Sequence, residues 1–164
     1  MISLTITEVK KFMSHLLVHN TFDQLYLSEA EISTANLYTI SGEVNRAYYS
    51  NEEYEELTDK KYSRWASIRP FCLELIKGSK TPTAMKIVFL LPDQSVSNLI
   101  EESGLSYTAA DINGLFLNIR YLDGTLSIIT GTSVRVFTMD KSLDQAFDAS
   151  VRRFLDKAGI PFEE

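Results

Sequence analysis

The sequence is poor in the residue types that most often carry chemistry. Its 164 residues include one cysteine, Cys72, and two histidines, His15 and His19. A single cysteine excludes an internal disulfide, and its place on an apolar helix face predicts a core side chain. The histidines are four residues apart on a predicted helix, but a metal site takes three or four ligands, and a third would have to come from elsewhere, such as Asp23. We therefore expect no metal and no cofactor.

Long apolar runs and closely spaced glycines are also missing. The longest strongly apolar run, 87–91, has five residues, whereas a helix needs about 20 to cross a bilayer. The start, "MISLTITEVKKFM", shows no basic leader followed by an apolar stretch. We therefore expect a cytoplasmic protein without a membrane segment. The seven glycines are never closer than seven residues apart, which excludes a dinucleotide-binding fingerprint.

The stretch "IKGSKTPTAMK", residues 76–86, superficially resembles a phosphate-binding loop. A Walker loop needs a second glycine five positions before Gly78, a lysine after it, and a strand before a helix. None of these is present, and a helix C-terminus is the negative end of the helix dipole. The stretch predicts instead a helix that ends at Gly78 and a central strand after it. Lys86 is the only charge in "TAMKIVFLL", so it must pair, snorkel or line a cavity.

The apolar periodicity predicts one α+β domain over residues 1–164. Amphipathic helices are expected at the N-terminus, capped by Thr5 and Glu8, in the middle, starting near Ser67, and at the C-terminus. Between them we expect a mainly antiparallel sheet of five to six strands. The predicted strands are 25–32, with one slip in phase, 36–44, 83–91, the two arms of an Asp123-Gly124 hairpin over 115–130, and "VRVFT" at 134–138.

Charge is unevenly distributed along the chain. The net charge is −6, which argues against general nucleic-acid binding, because neutralisation of phosphates dominates such affinity. Residues 59–86 contain seven basic and two acidic side chains, a local charge of +5, so the rest of the chain carries −11. The acidic stretch "NEEYEELTD" comes directly before Lys60 and predicts a short solvated helix.

Aromatic residues crowd this junction and give the first functional hypothesis, a non-enzymatic protein-binding or self-assembling module. Tyr, Trp and Arg are enriched at protein interfaces, and a stretch with both charge signs suits a homodimer as well as a partner protein. In the alternative interpretation, Trp65 and two of the tyrosines belong to the core. The candidate contact residues are Tyr48, Tyr49, Tyr54, Tyr62, Arg64, Trp65 and Arg69.

The second hypothesis is a small-molecule-binding protein or enzyme that holds a phosphate or carboxylate. Arg120 and Arg135 are expected on one face of the sheet, where two guanidinium groups can clamp an anion. The other candidate clamp residues are Arg69, Lys77, Lys80 and Lys86. Single-stranded nucleic acid stacked on Tyr62 and Trp65 is a third alternative.

Three stretches carry a family resemblance: "SIRPFCLELIKGSKTP", "NGLFLNIRY" and "TGTSVRVFTMDKSLD". With them, the chain resembles, over nearly its whole length, a domain-of-unknown-function family from clostridial Firmicutes. The resemblance implies a cytoplasmic bacterial protein. It implies no activity, substrate or catalytic residue.

Overall fold

A computed structural model describes residues 1–78 and 80–164. Within them the chain forms five α-helices and seven strands, with 3₁₀ turns at Arg46–Tyr48 and Ala109–Asp111. The helices are α1 (Val9–Leu17), α2 (Asn51–Glu56), α3 (Trp65–Ile76), α4 (Asp93–Glu102) and α5 (Ser142–Ala158). The strands are β1 (Ser3–Ile6), β2 (Tyr26–Ser33), β3 (Leu37–Ser41), β4 (Ala84–Leu90), β5 (Ile112–Leu122), β6 (Thr125–Val134) and β7 (Phe162–Glu163). None of the described helices combines the length and apolar character needed to cross a membrane.

All seven strands join one antiparallel sheet in the order β3-β2-β4-β5-β6-β1-β7. The predicted α+β class and antiparallel pairing are confirmed, and β4 lies inside the sheet as expected. The predicted number of five to six strands is wrong. The two strands that complete the sheet, β1 and β7, are the shortest ones, and they pair at one edge. β7 has only two residues, too few for any alternating pattern, and β1 has four, the fewest over which alternation predicts a strand.

β1 replaces the helix start that the sequence suggested. Thr5 lies opposite Ser127 in the sheet, so it does not cap a helix with Glu8. Helix α1 begins at Val9, and its N-cap residue, Glu8, makes no side-chain capping bond. The alternation of buried Leu4 and Ile6 with exposed neighbours places β1 in the sheet.

The β5–β6 hairpin is longer than predicted. Its turn is the expected Asp123-Gly124 pair, with φ of 50° and 79°, which a type I′ turn requires. The predicted separate strand at 134–138 is wrong, because β6 runs without a break to Val134. Gly131 pairs with Phe116 inside the ladder, and the chain leaves the sheet only after Val134.

Two local predictions in the first half of the sheet and the middle helix had different outcomes. The slip in phase in β2 is confirmed as a register shift between Leu27 and Glu29. The middle helix starts at Trp65, two residues before the predicted Ser67, so Pro70 lies inside it. This helix was expected to end at Gly78, but α3 ends at Ile76 and its cap is Lys77, in an extended conformation. Ser79, in the turn predicted after Gly78, lies outside the described residues.

The core lies on one face of the sheet. Leu4, Ile87, Ile119 and Ile128 form one fully buried row across it and belong to a single cluster with the apolar side chains of α1, α3, α4 and α5. Because side chains alternate along a strand, the neighbouring residues point away from these helices. We call this second surface the open face. Its central side chains are Glu29 and Glu31 on β2, Ala84, Lys86, Val88 and Leu90 on β4, Phe116, Asn118, Arg120 and Leu122 on β5, and Ser127 and Ile129 on β6.

Candidate functional site

The aromatic and charged segment, residues 48–69, lies along one edge of the sheet. Ser50 caps α2 through a reciprocal bond pair with Glu53, at 3.1 and 3.4 Å. After α2 the chain returns to the sheet, where Tyr62 pairs with Glu43 and Arg64 with Tyr26. The segment therefore continues the edge of the sheet beside the first residues of β2.

Trp65 belongs to the core. Its side chain is fully buried, its indole N–H donates to the Leu16 carbonyl at 2.7 Å, and its ring meets Phe89 edge-on with centroids 5.2 Å apart. This placement agrees with the alternative interpretation of Trp65. The residue holds α3 against α1 and the sheet.

Arg64 is engaged within the chain. Its guanidinium makes two bonds to Asp59, at 2.9 and 3.2 Å, and one to the Gln24 carbonyl at 2.8 Å. It also lies over the Tyr26 ring, 5.0 Å from the centroid, and the Tyr26 hydroxyl donates to Asp59 at 3.1 Å. Burial, and then the bond to Asp59, raise the pKa of Tyr26 above its ordinary value. This cluster ties the segment to β2.

Arg69 is engaged in the same way on α3. It makes two bonds to Asp23, at 2.8 and 2.9 Å, and reaches the carbonyls of Leu17 at 3.4 Å and Val18 at 3.2 Å. The hydrogen bonds to Asp23 raise the pKa of the Arg69 guanidinium. Both partners are mostly buried. Its geometry is that of an internal ion pair at the end of α1.

Of the predicted segment, Tyr48 is the side chain most available to a partner. It is 79% exposed, and it meets the Tyr49 ring edge-on at 5.3 Å. Arg46 supports this corner: it lies 4.4 Å from the centroid of the Tyr54 ring and donates to the Tyr49 carbonyl at 2.9 Å. Tyr62 is half-buried, with its ring 6.5 Å from that of Tyr26.

The structure brings Lys86 and Arg120 together and separates Arg135 from both. Lys86 and Arg120 are direct cross-strand partners on the open face, and Lys86 pairs with Glu29 at 2.9 Å. Arg135 follows β6 at its far end, eight positions beyond Ser127, which faces Arg120. Eight strand residues span about 27 Å. The predicted clamp of Arg120 and Arg135 is therefore wrong.

The sequence did not reveal the most exposed apolar surface. Loop 135–141, between β6 and α5, presents Val136, Phe137 and Met139 with 77%, 85% and 81% of their surface exposed. We call these three side chains the apolar loop. Because "VRVFT" is rich in residues that favour strands, the sequence pattern favoured a strand here. The one sequence feature that could have indicated this exposed loop was the cluster of three large apolar residues directly before the N-terminus of α5.

Hydrogen bonds hold both ends of this loop. The Arg135 amide donates to the Asp111 carbonyl at 2.9 Å, and the Tyr107 hydroxyl donates to Asp140 at 3.3 Å. Asp140 also accepts from the Ser142 amide and hydroxyl, each at 2.9 Å. The bonds from Ser142 lower the pKa of the Asp140 carboxyl. The apolar loop is therefore displayed from fixed ends.

A groove of about 630 Å³ runs between α4 and α5. Its floor is apolar and includes Leu99, Leu117 and Phe147, whereas Arg153 and Lys157 stand on the rim contributed by α5. None of the cations proposed from the sequence as an anion clamp lines this groove. Lys77 lies 3.9 Å from Glu74 in an exposed pair on α3.

The surroundings of the cysteine and the two histidines are those of residues with a structural role. Cys72 is fully buried, and burial raises the pKa of its thiol to about 11, so the nucleophilic thiolate is scarce at neutral pH. The rings of His15 and His19 are 5.4 Å apart, and His15 Nδ1 lies 2.6 Å from the Thr21 hydroxyl. Across residues 1–78 and 80–164, no three His, Cys, Asp or Glu side chains converge as metal ligands would.

Comparison with known proteins found a match to one family model and to nothing that carries a described activity. No curated protein matches the chain, and no solved structure matches it. The family model is described as a family of unknown function (DUF5721), and it matches residues 15–163. That range covers α2 to α5, the sheet except β1, and the apolar loop. The chain therefore belongs to this family of unknown function.

Proposed function

We propose that the chain is a non-enzymatic protein-binding module and that the apolar loop is its principal contact. The observation that carries this proposal is the exposure of Val136, Phe137 and Met139, together with the hydrogen bonds at both ends of their loop. Contiguous exposed apolar side chains mark interaction sites, because their burial in a partner is favourable. Burying one large apolar side chain contributes about 1.5–3 kcal/mol.

The fixed ends of the loop favour a protein partner further. Association costs less when the contacting segment is already held in one conformation. Phe137, the most exposed of the three, would act as the anchor in a pocket of the partner, and its neighbours would exclude water around it. Tyr48 is proposed as a second contact, supported by its exposure. Location in the cytoplasm of a clostridial bacterium remains part of the proposal.

The experiment is site-specific photo-crosslinking in cells. A photoreactive phenylalanine analogue at Phe137 is expected to give discrete adducts with a partner protein, because this side chain would lie inside the interface. The same analogue at Glu101, an exposed polar position on α4, is the matched control. Adducts are identified by mass spectrometry of the purified products.

A variant of the loop supplies the second comparison. In Val136→Ser/Phe137→Ser/Met139→Ser the contact is removed, while the described loop-end bonds of Arg135 and Asp140 are left in place. We expect the variant to keep the melting temperature of the wild type and to lose capture of the identified partner. Identical adducts from positions 137 and 101, or full capture by the triple variant, would refute the proposal.

The second candidate function is binding of a small amphipathic anion. It is favoured by the α4–α5 groove, whose volume lies within the usual 300–1,000 Å³ of ligand sites. Two cations of α5, Arg153 and Lys157, line this groove against one carboxylate of α4, Glu102. In a low-salt thermal-shift screen of carboxylates and phosphates, a ligand at 100 times its Kd adds about 2.7 kcal/mol of stability. A true ligand should lose this effect with Arg153→Glu. A flat screen counts against this function.

A further inference from the structure

We infer that the open face is a homodimer interface in which two copies of the chain pack β4 against β4 around a two-fold axis parallel to that strand. The inference concerns a different surface from the apolar loop and does not depend on it. Its starting point is the row of residues that crosses the open face beside Lys86. Glu31, Lys86 and Arg120 stand side by side there on β2, β4 and β5.

The charges in this row are only partly matched within one chain. Lys86 is paired with Glu29 at 2.9 Å. Among residues 1–78 and 80–164, neither Glu31 nor Arg120 takes part in an ion pair. They lie on opposite sides of β4, two strand spacings apart, or about 9.6 Å. An acid and a base are therefore left on either side of the same strand.

A two-fold axis along β4 matches these two charges between copies. Such a rotation keeps the position of each residue along the strand and exchanges the two sides of β4. Glu31 of one copy then faces Arg120 of the other, and the symmetric contact repeats, as an isologous interface requires. Lys86 meets its own copy near the axis, where the pairing of each lysine with Glu29 offsets their repulsion. The dimer thus contains two new ion pairs, and neither needs a rearrangement of the backbone.

The same axis stacks apolar side chains on their own copies. Ala84, Val88 and Leu90 of β4 lie on the axis, and Val88 is already only 7% exposed. Phe116 on β5, next to β4, and Ile129 on β6, two strands from β4, are half-buried and extend the apolar area. Two sheets packed in this way lie about 10 Å apart, with their strands nearly aligned.

The area of the face is suited to a dimer. The five longer strands, at about 4.8 Å spacing and with an average length of about 27 Å, give a flat footprint of about 650 Å². The accessible surface of the face is larger than this footprint, because side chains project from it, and a standard interface buries about 800 Å² per partner. The partner proposed here is therefore a second copy of this chain. The charges favour it because each copy places an acid opposite the unpaired base of the other, and a base opposite its unpaired acid.

The test is the oligomeric state of the full chain and of charge-reversed variants, measured by light scattering and sedimentation over a concentration series. The wild type is expected to be a dimer. Glu31→Arg and Arg120→Glu should each weaken the dimer at least about tenfold in Kd, because each places like charges opposite each other at two symmetric contacts. Lys10→Glu, an equal charge reversal at an exposed position of α1 on the helical side, is the matched control and should leave Kd unchanged.

Mixing the two single variants distinguishes this geometry from a general loss of stability. In a mixture, the Glu31→Arg chain presents a base at both positions of the contact and the Arg120→Glu chain presents an acid at both. Each contact of the mixed pair then joins opposite charges, so heterodimers should form with at least wild-type affinity. The double variant Glu31→Arg/Arg120→Glu should also form the dimer, because each contact again joins an acid and a base. A monomeric wild type at every concentration, unchanged Kd in the single variants, or absence of heterodimers would each overturn the inference. None of these results bears on crosslinking at Phe137.

Discussion

Trp65→Ala is expected to lower the free energy of unfolding by about 4 kcal/mol, since replacement of a fully buried large aromatic residue typically costs 3–5 kcal/mol. The substitution removes the edge-on contact with Phe89 and the indole donor to Leu16, and it leaves a cavity where α1, α3 and the sheet meet. Urea unfolding measures the loss. It is followed by circular dichroism, because Trp65 is the only tryptophan.

A second variant separates the two contributions of Trp65. Trp65→Phe keeps most of the apolar volume but leaves the Leu16 carbonyl, in the last turn of α1, without its donor. We expect a smaller loss, about 1–2 kcal/mol, from the missing hydrogen bond. Protein concentration is held constant, because self-association would make stability depend on it. If Trp65 were an interface residue, the Ala variant would change the free energy of unfolding by less than about 0.5 kcal/mol.

The sequence predicted those parts of the fold whose pattern is local and long enough. Helix periodicity, the Asp123-Gly124 turn and the slip in β2 each depend on neighbours in the chain, and each is present. Strands β1 and β7 could not be predicted in this way, because they exist only through pairing with distant partners. "VRVFT" shows the opposite error, in which high strand propensity lacks a free partner edge, since β1 already pairs with β6.

The candidate site was harder to predict than the fold. Composition marks Trp65, Arg64 and Arg69 as interface types, but the same residue types also anchor buried contacts, and only tertiary structure distinguishes the two. The apolar loop shows the converse, because "VFTM" has the composition of a core strand and its exposure follows from where β6 ends. Lys86 was expected to pair, snorkel or line a cavity, and the structure shows it in an ion pair. Its partner, Glu29, is far away in sequence.

Arg69→Met is expected to destabilise the fold by about 3 kcal/mol. Removing one partner of a mostly buried ion pair costs 3–5 kcal/mol, because the other charge stays buried without compensation. The value expected here is at the lower end of this range, because 20% of the Arg69 side-chain surface is exposed to solvent. Asp23 would lose both of its bonds to the guanidinium, and the carbonyls of Leu17 and Val18 would lose a donor.

The double variant Asp23→Leu/Arg69→Met shows which of these losses dominates. With both charges gone, no carboxylate is left stranded, and a buried pair replaced by apolar side chains is often nearly neutral. We therefore expect the double variant to recover most of the stability lost in Arg69→Met. The carbonyls of α1 stay without a donor in both variants. Any stability that the double variant still lacks relative to the wild type therefore measures how much Arg69 contributes by capping these carbonyls. Trp65 and Arg69 thus act together: both lie on α3, and their side chains donate hydrogen bonds to carbonyls at the C-terminal end of α1 that have no donor within the helix. Equal stability of the wild type and Arg69→Met would contradict this role and leave Arg69 available as a ligand-binding cation.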